Sequence, residues 1–305
     1  MQSKRASITA DLALLAIAGI WGFTFTAVKE ALAAADPFPF LAVRFALAAA
    51  VLLLVFPRRV VRVSPRGLGL AALIGLWLTA GYALQTTGLL HTTPSKSAFI
   101  TGLSVVLVPI LSFAISRIRP AGDVRPRVGS LAAVLFAAAG LYLLTAPKAG
   151  GMSVGDLLTL GCAVAFALHI VTTERVAPHH DPVPLAFWQI VTTAVACGLV
   201  AIASPGRGLG LTSWTLGALL ITGILATAAA FLVQTWAQRR TSATHVAVIF
   251  TAEPVFAALF SWLVQHEALG PGKLLGGALI VLGMLAAQVG RRPAPVREEL
   301  IPGMR

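Results

Sequence analysis

What most constrains this chain is a succession of long apolar runs. Ten stretches, each long enough to cross a bilayer, follow one another at 11–29, 38–56, 68–89, 96–116, 128–146, 154–173, 183–203, 213–236, 244–264 and 272–289. A helix of about 20 residues is about 30 Å long, the thickness of the hydrocarbon layer. Within that layer backbone groups find no water, so a spanning segment must close its hydrogen bonds internally, as a helix does. The joints are short and carry Pro, Gly, Ser and Asp, leaving no room for a soluble domain. Only 11% of the 305 residues are charged, against about a quarter in a soluble chain. The expected fold class is an all-α integral membrane protein. Cys162 and Cys197 fall inside apolar runs and read as small packing residues, not a disulfide framework. Lys4 and Arg5 precede a run that exceeds signal-peptide length and lacks a cleavage site, so it is expected to stay as the first span.

The +12 net charge could suggest a nucleic-acid partner, but its distribution argues otherwise. If each run crosses the membrane once, 17 of the 23 Lys and Arg residues lie on one side, from Lys4 and Arg5 through the Arg58–Arg66 and Arg117–Arg127 loops to the tail. The opposite side holds 5: Lys29, Lys96, Lys148, Arg207 and Lys273. Arg44 lies within a span. The positive-inside bias puts both termini in the cytoplasm. The basic excess is a topology signal, with the lipid bilayer as partner and no nucleic acid.

The two halves resemble each other. Asp11, Asp36, Pro37 and Pro39 recur 145 residues later as Asp156, Asp181, Pro182 and Pro184. Further on the offset becomes 149, pairing Gln85 with Gln234, Thr86 with Thr235 and Thr92 with Thr241. Five spans per copy is an odd number, so the second copy enters the membrane upside down. The expected organisation is a repeat over 1–146, an inverted repeat over 147–290 and a cytoplasmic tail over 291–305. Inverted repeats around a shared central cavity are a transporter architecture. The four Asp residues read as helix caps. His179-His180-Asp181 superficially resembles a metal cluster but fits no ligand spacing, and no metal is expected.

Against this frame the sequence resembles the drug/metabolite transporter superfamily, in its EamA branch. The resemblance covers nearly the whole chain. It rests on "WGFTFTAVK" in the first span, "YALQTTGLLHTTPSKSAFITGL…VLVP" across the third and fourth, and "VQTWAQRRTSATHVAVIFTAEPVFAAL" across the eighth and ninth. Ser104 departs from the tyrosine common at its position. The resemblance implies ten helices around a central cavity, with spans one, three, four, six, eight and nine lining it and five and ten peripheral. Span ten supports a packing role, because Gly272 and Gly276 lie four apart with no central charge. Packing within a monomer is the expectation, a dimer seam the alternative.

Polar groups inside hydrocarbon face the bundle interior or a watery cavity. Tyr82, Gln85 and Thr86 share one helical face, as do their mates Phe231, Gln234 and Thr235. These read either as a binding surface or as interhelical hydrogen bonding. Trp21 and Phe25 share a face of the first span, and the neighbouring Thr24 is the mate of His169. Phe99, inside the fourth-span motif, completes the cavity candidates. Arg44 is expected to snorkel or to meet a backbone carbonyl, with pairing to Glu253 as the other option. Lys96 and His245 sit at Ser/Thr-rich helix starts that could flank two entrances. Glu253 and Pro254 match Ser104 and Val105, so the first copy has neither the carboxylate nor the proline. Glu253 reads either as a proton-coupling site or as a hydrogen-bonding group at a Pro254 hinge, where it would meet the freed carbonyl of Phe250.

No GxxxxGK[ST], HExxH or GxSxG motif occurs, which argues against an ATP-driven pump or an intramembrane hydrolase. No cofactor is expected. The expected function is a secondary transporter exporting small metabolites across the bacterial cytoplasmic membrane by alternating access. Its expected substrates are amino acids, aromatic ones included. A sugar-phosphate or nucleotide-sugar carrier would want more cations near the centre; a lipid-handling protein without transport is the other alternative.

Overall fold

The computed structural model describes residues 2–118, 128–145, 152–204, 206–265 and 270–288. These are helical throughout, apart from turns, caps and one isolated antiparallel bridge between Ala35 and Leu209. Among them seven helices are long and apolar enough to cross a membrane, and three shorter apolar helices cover Leu131–Leu143, Ala243–Ala257 and Leu274–Gly283. The basic positions Arg119, Arg125, Arg127 and Lys148 and the tail over 291–305 lie outside the described residues.

In chain order the elements are α1 (Gln2–Ala31), α2 (Pro37–Val55), the short α3 (Pro57–Val60), α4 (Pro65–Leu89), α5 (Pro94–Gly102), α6 (Ser104–Ile118) and α7 (Val128–Thr145). The second half has α8 (Val154–Val176), α9 (Pro182–Ala203), α10 (Ser213–Leu220), α11 (Ala230–Gln238), α12 (Ala243–Phe250), α13 (Ala252–Gln265) and α14 (Pro271–Gln288). A π-helix, Ile221–Ala229, joins α10 to α11. Prolines open α2, α4 and α9, where a missing N–H costs nothing. Side-chain caps fix other starts: Ser64 accepts from Gly67 N, Thr212 from Thr215 N, and Ser153 and Asp156 form a capping box.

Several expectations change. Helix α1 begins nine residues before Asp11, so Asp11 is no cap; its carboxylate lies 2.9 Å from His245 Nε2. Asp36 holds the N-cap position of α2 but makes no cap bond; it accepts from Gly208 N at 2.8 Å, beside Arg207. Asp181 does cap α9 and also pairs with Arg59 at 2.8 Å. His180 bonds the Val176 carbonyl at 2.9 Å. The fourth and ninth spans, expected as continuous helices, break at Leu103 and Thr251.

Packing runs across the two halves. Helix α2 packs on α9, α4 on α8 and α9, α1 on α13 and α11, and α7 on α14. Small residues permit the closest approaches. A Cβ at Gly22 would stand 2.6 Å from the Glu253 carbonyl oxygen, and one at Gly140 2.6 Å from that of Gly276. Helix α14 therefore uses its glycines against α7 of the same chain. Large apolar side chains such as Leu54, Leu135, Ile202 and Leu285 point outward, as lipid-facing positions should.

Candidate functional site

A cavity of about 840 Å3, its open mouth included, lies where α1, α2, α4, α5, α6, α8 and α11–α13 converge. Helices α7, α9 and α14 do not reach it. One wall is aromatic. Trp21 packs edge-on to Phe250, 4.8 Å between centroids, and lies 5.8 Å from Phe231. Tyr82 meets Phe166 at 5.2 Å and Phe231 at 6.1 Å, both edge-on. Such contacts hold rings rigid while leaving their faces and edges to a ligand.

Polar groups interrupt this wall. Gln85 donates to Thr101 Oγ1 at 3.2 Å. Gln238 donates to the Ile170 carbonyl, so its own oxygen accepts from Gln234 Nε2 at 3.1 Å. That chain leaves Gln234 Oε1 buried without a partner among the described residues. His169 bonds Gln189 Oε1 at 2.8 Å, and Gln189 donates in turn to Thr235 Oγ1. Because the Gln189 oxygen accepts, the His169 proton on this nitrogen is the shared one.

Trp21, Phe25, Tyr82, Gln85, Thr86, His169, Phe231, Gln234, Glu253 and Pro254 all line the cavity. Phe99 and Thr235 do not. Thr235 is buried behind the wall, donating to the Phe231 carbonyl at 2.7 Å. Its hydroxyl is turned into its own helix, a back-bond open to any threonine. Phe99 lies on α5 beside lining residues Ala98 and Thr101 but off the wall.

Arg44 is the largest departure from expectation. It does not snorkel; it is 3% exposed and lines the cavity. Its Nε donates to Thr227 Oγ1 at 2.8 Å and its Nη2 to Tyr82 Oη at 3.2 Å. The guanidinium stands 4.6 Å over the Tyr82 ring. The π-helix presents Thr227 to Arg44 and the Ala226 carbonyl to Trp21 Nε1, at 2.8 Å. A π segment shifts its groups off the α register, and such segments are frequent at functional sites. No motif in the sequence announces it.

Glu253 lies in the first turn of α13, where the helix dipole favours a carboxylate. It is partly exposed, to the cavity. Among the described residues its carboxylate has no hydrogen-bond or ion-pair partner, so the expected bond to the Phe250 carbonyl is not made. The break at Thr251 is closed instead by Thr251 itself, whose N–H and hydroxyl both reach the Val248 carbonyl.

The wall is built from register mates. At the 145 offset, Trp21 and Phe166, Thr24 and His169, and Phe25 and Ile170 all line it. At the 149 offset so do Tyr82 and Phe231, Gln85 and Gln234, Ala98 and Ala247, Thr101 and Phe250, Gly102 and Thr251, and Ser104 and Glu253. Val28, Arg44, Thr86 and Leu89 of the first half, and Pro254 of the second, line it without their mates. The mates of the first four, Thr173, Gln189, Thr235 and Gln238, are each 0–1% exposed. The cavity thus extends further toward the Leu89 end than toward the Gln238 end. At the Gln238 end, Asp11 meets His245 and Glu174 accepts from Ala243 N at 2.9 Å. At the other end Lys29 Nζ donates to the carbonyls of Leu89 and Thr92, and Thr92 to Asp156 at 2.7 Å.

Long apolar helices surrounding a buried cavity of rings, amides and two opposite charges define the class: a multi-pass membrane protein of the transporter type. The sequence matches the EamA-like transporter family over residues 8–146 and 153–287. An uncharacterized transporter of Archaeoglobus fulgidus is 34% identical over 276 residues, 90% of this chain and 84% of that protein. The uncharacterized transporter YoaV of Bacillus subtilis is 24% identical, over 90% of this chain and 94% of its own. The threonine/homoserine exporter RhtA of Escherichia coli is 27% identical over 54% of this chain and 57% of its own. A solved crystal structure superposes with a TM-score of 0.74 over 92% of this chain and 97% of its own, at 22% identity, a likeness of fold. The chain belongs to the EamA-like transporter family, within the drug/metabolite transporter superfamily.

Proposed function

We propose that this protein is a secondary transporter that exports amino acids, aromatic ones among them, across the bacterial cytoplasmic membrane. Ten spanning helices form two inverted five-helix repeats, over residues 1–146 and 147–290, with both termini and the 291–305 tail in the cytoplasm. The protein works as a monomer and as a carrier, not an enzyme. Seven long apolar helices, with three shorter ones at Leu131–Leu143, Ala243–Ala257 and Leu274–Gly283, support this reading. The RhtA similarity, though partial, supports an amino acid as cargo and export as direction.

The observation that carries this reading is the wall of register mates. A cavity whose lining is duplicated across two inverted halves has two related packings available. In one, the four first-half residues without lining mates extend the cavity outward, while Thr173, Gln189, Thr235 and Gln238 close the cytoplasmic side. Exchanging the conformations of the halves opens that side and closes the other, which is alternating access. The aromatic edges suit an apolar side chain and the amides a polar head.

The test is thermal unfolding of the purified protein across a metabolite panel. A ligand at about 100 times its Kd stabilises a folded protein by about 2.7 kcal/mol. Amino acids should raise the melting temperature where sugar phosphates and nucleotide sugars do not. A shift confined to the phosphorylated compounds would overturn the reading.

A further inference from the structure

Arg44 and Glu253 are the two side chains of opposite formal charge in the cavity wall. They are not in ion-pair contact with one another. Arg44 meets no carboxylate among the described residues. Its bonds there go to two hydroxyls, Thr227 and Tyr82, through Nε and Nη2, and Nη1 makes none. A buried guanidinium is normally matched by a carboxylate or phosphate, because its desolvation is otherwise uncompensated. Glu253 likewise has no partner among the described residues, and Gln234 Oε1 is a buried acceptor with nothing there to accept from. Tyr82 Oη accepts from Arg44, which leaves its own proton free to donate. The wall therefore offers donors in Arg44 and the Tyr82 hydroxyl, and acceptors in Glu253 and Gln234.

We infer that Arg44 is the anchor for a substrate carboxylate, with Glu253 and Gln234 receiving the substrate ammonium, so that the cavity selects zwitterions by both charges. This rests on the amino-acid reading above and adds to it a requirement: a free carboxylate. The inserted ligand completes both charges at once while remaining neutral overall, so the occupied cavity holds no net uncompensated charge. Thr227 and Tyr82 are positioning residues. They fix the guanidinium plane in the cavity wall and leave Nη1 without a partner there, which matters because guanidinium–carboxylate pairing depends on a fixed orientation.

The experiment compares phenylalanine with phenylalaninamide, which keeps the ring and the ammonium but lacks the carboxylate. Threonine and threoninamide form a second pair. Binding is measured by titration calorimetry, and flux in proteoliposomes, with the full-length protein. A charge-assisted hydrogen bond contributes about 1.5–3 kcal/mol, so the wild type should prefer acid over amide by roughly ten- to hundredfold. Arg44→Gln should equalise the pair, and Arg44→Lys should restore part of the preference. Should Arg44→Gln fail to fold, Thr227→Val keeps the charge and removes its orienting bond. It should weaken the acid several-fold and leave the amide unchanged. Equal affinity for acid and amide in the wild type, or a preference that survives Arg44→Gln, would overturn the inference while leaving amino-acid transport standing. Absence of binding and flux for every acid and amide would overturn both.

Discussion

At the scale of single residues, Glu253 stands in the first turn of α13 and lines the cavity. An isolated carboxylate in an apolar run costs about 3 kcal/mol or more if left charged and unpaired, so its need for a cavity or a partner is legible in the sequence itself. Which of the two it finds is not. The hydrogen bond to the Phe250 carbonyl, one of the two readings of Glu253, is not made among the described residues, and Thr251 closes onto Val248 at the break. Pro254 sits in the first turn of α13, where a missing N–H is harmless. Glu253→Gln should therefore leave the fold and its melting temperature nearly unchanged while lowering flux. Full flux with an unaltered pH profile would remove Glu253 from the mechanism. Arg44 defeats sequence reasoning because a snorkelling arginine and a cavity arginine look identical there; only the Thr227 hydroxyl, 183 residues away, distinguishes them. Trp21→Phe tests another such long-range bond. Losing the contact from Nε1 to the Ala226 carbonyl should destabilise the protein by about 1 kcal/mol. Chemical denaturation in detergent would read this, and no change would mean that the indole N–H is dispensable.

At the scale of elements, the apolar helices are legible from run length, and their irregularities are not. The ninth span breaks beside a proline, yet the fourth breaks at the equivalent place with Gly102 and Leu103 and no neighbouring Glu-Pro. The break therefore belongs to the duplicated frame rather than to Glu253. It brings the first turns of α6 and α13, with Ser104 and Glu253, to the cavity. The π-helix is unmatched: its counterpart region in α4 is continuous α-helix. Close helix packing predicts different outcomes at two glycines. Gly22→Val would press a side chain into the backbone of Glu253 and Ala257, so it should destabilise by about 1–3 kcal/mol and also disturb flux. Gly140→Val meets the α14 backbone, and Gly140 is not a lining residue. It should lower the melting temperature by a similar amount while leaving the substrate KM of the surviving protein unchanged. A changed KM at Gly140→Val would contradict the assignment of α7 and α14 to the periphery.

At the scale of the whole molecule, the repeat offsets of 145 and 149 residues carry more of the site than any motif. They predict that a lining residue brings its mate to the wall, and nine pairs do so. Phe166, absent from the sequence-based candidates, follows from Trp21 by this rule. What the offsets do not supply is the difference between the halves, because a conformational state is not written in a symmetric pattern. That difference, Val28, Arg44, Thr86 and Leu89 lining the cavity while their mates are sealed, is the basis of the transport cycle proposed above. Flux in proteoliposomes reconstituted with the full-length protein tests the central claim most directly. Vesicles loaded with unlabelled threonine or phenylalanine should accumulate the labelled amino acid by exchange. The uptake should be saturable, need no ATP and fall with Arg44→Gln to the level of the corresponding amide. Uptake no greater than in protein-free vesicles for every amino acid tested would contradict the account, and lipid scrambling by the same vesicles would point to the lipid-handling class instead.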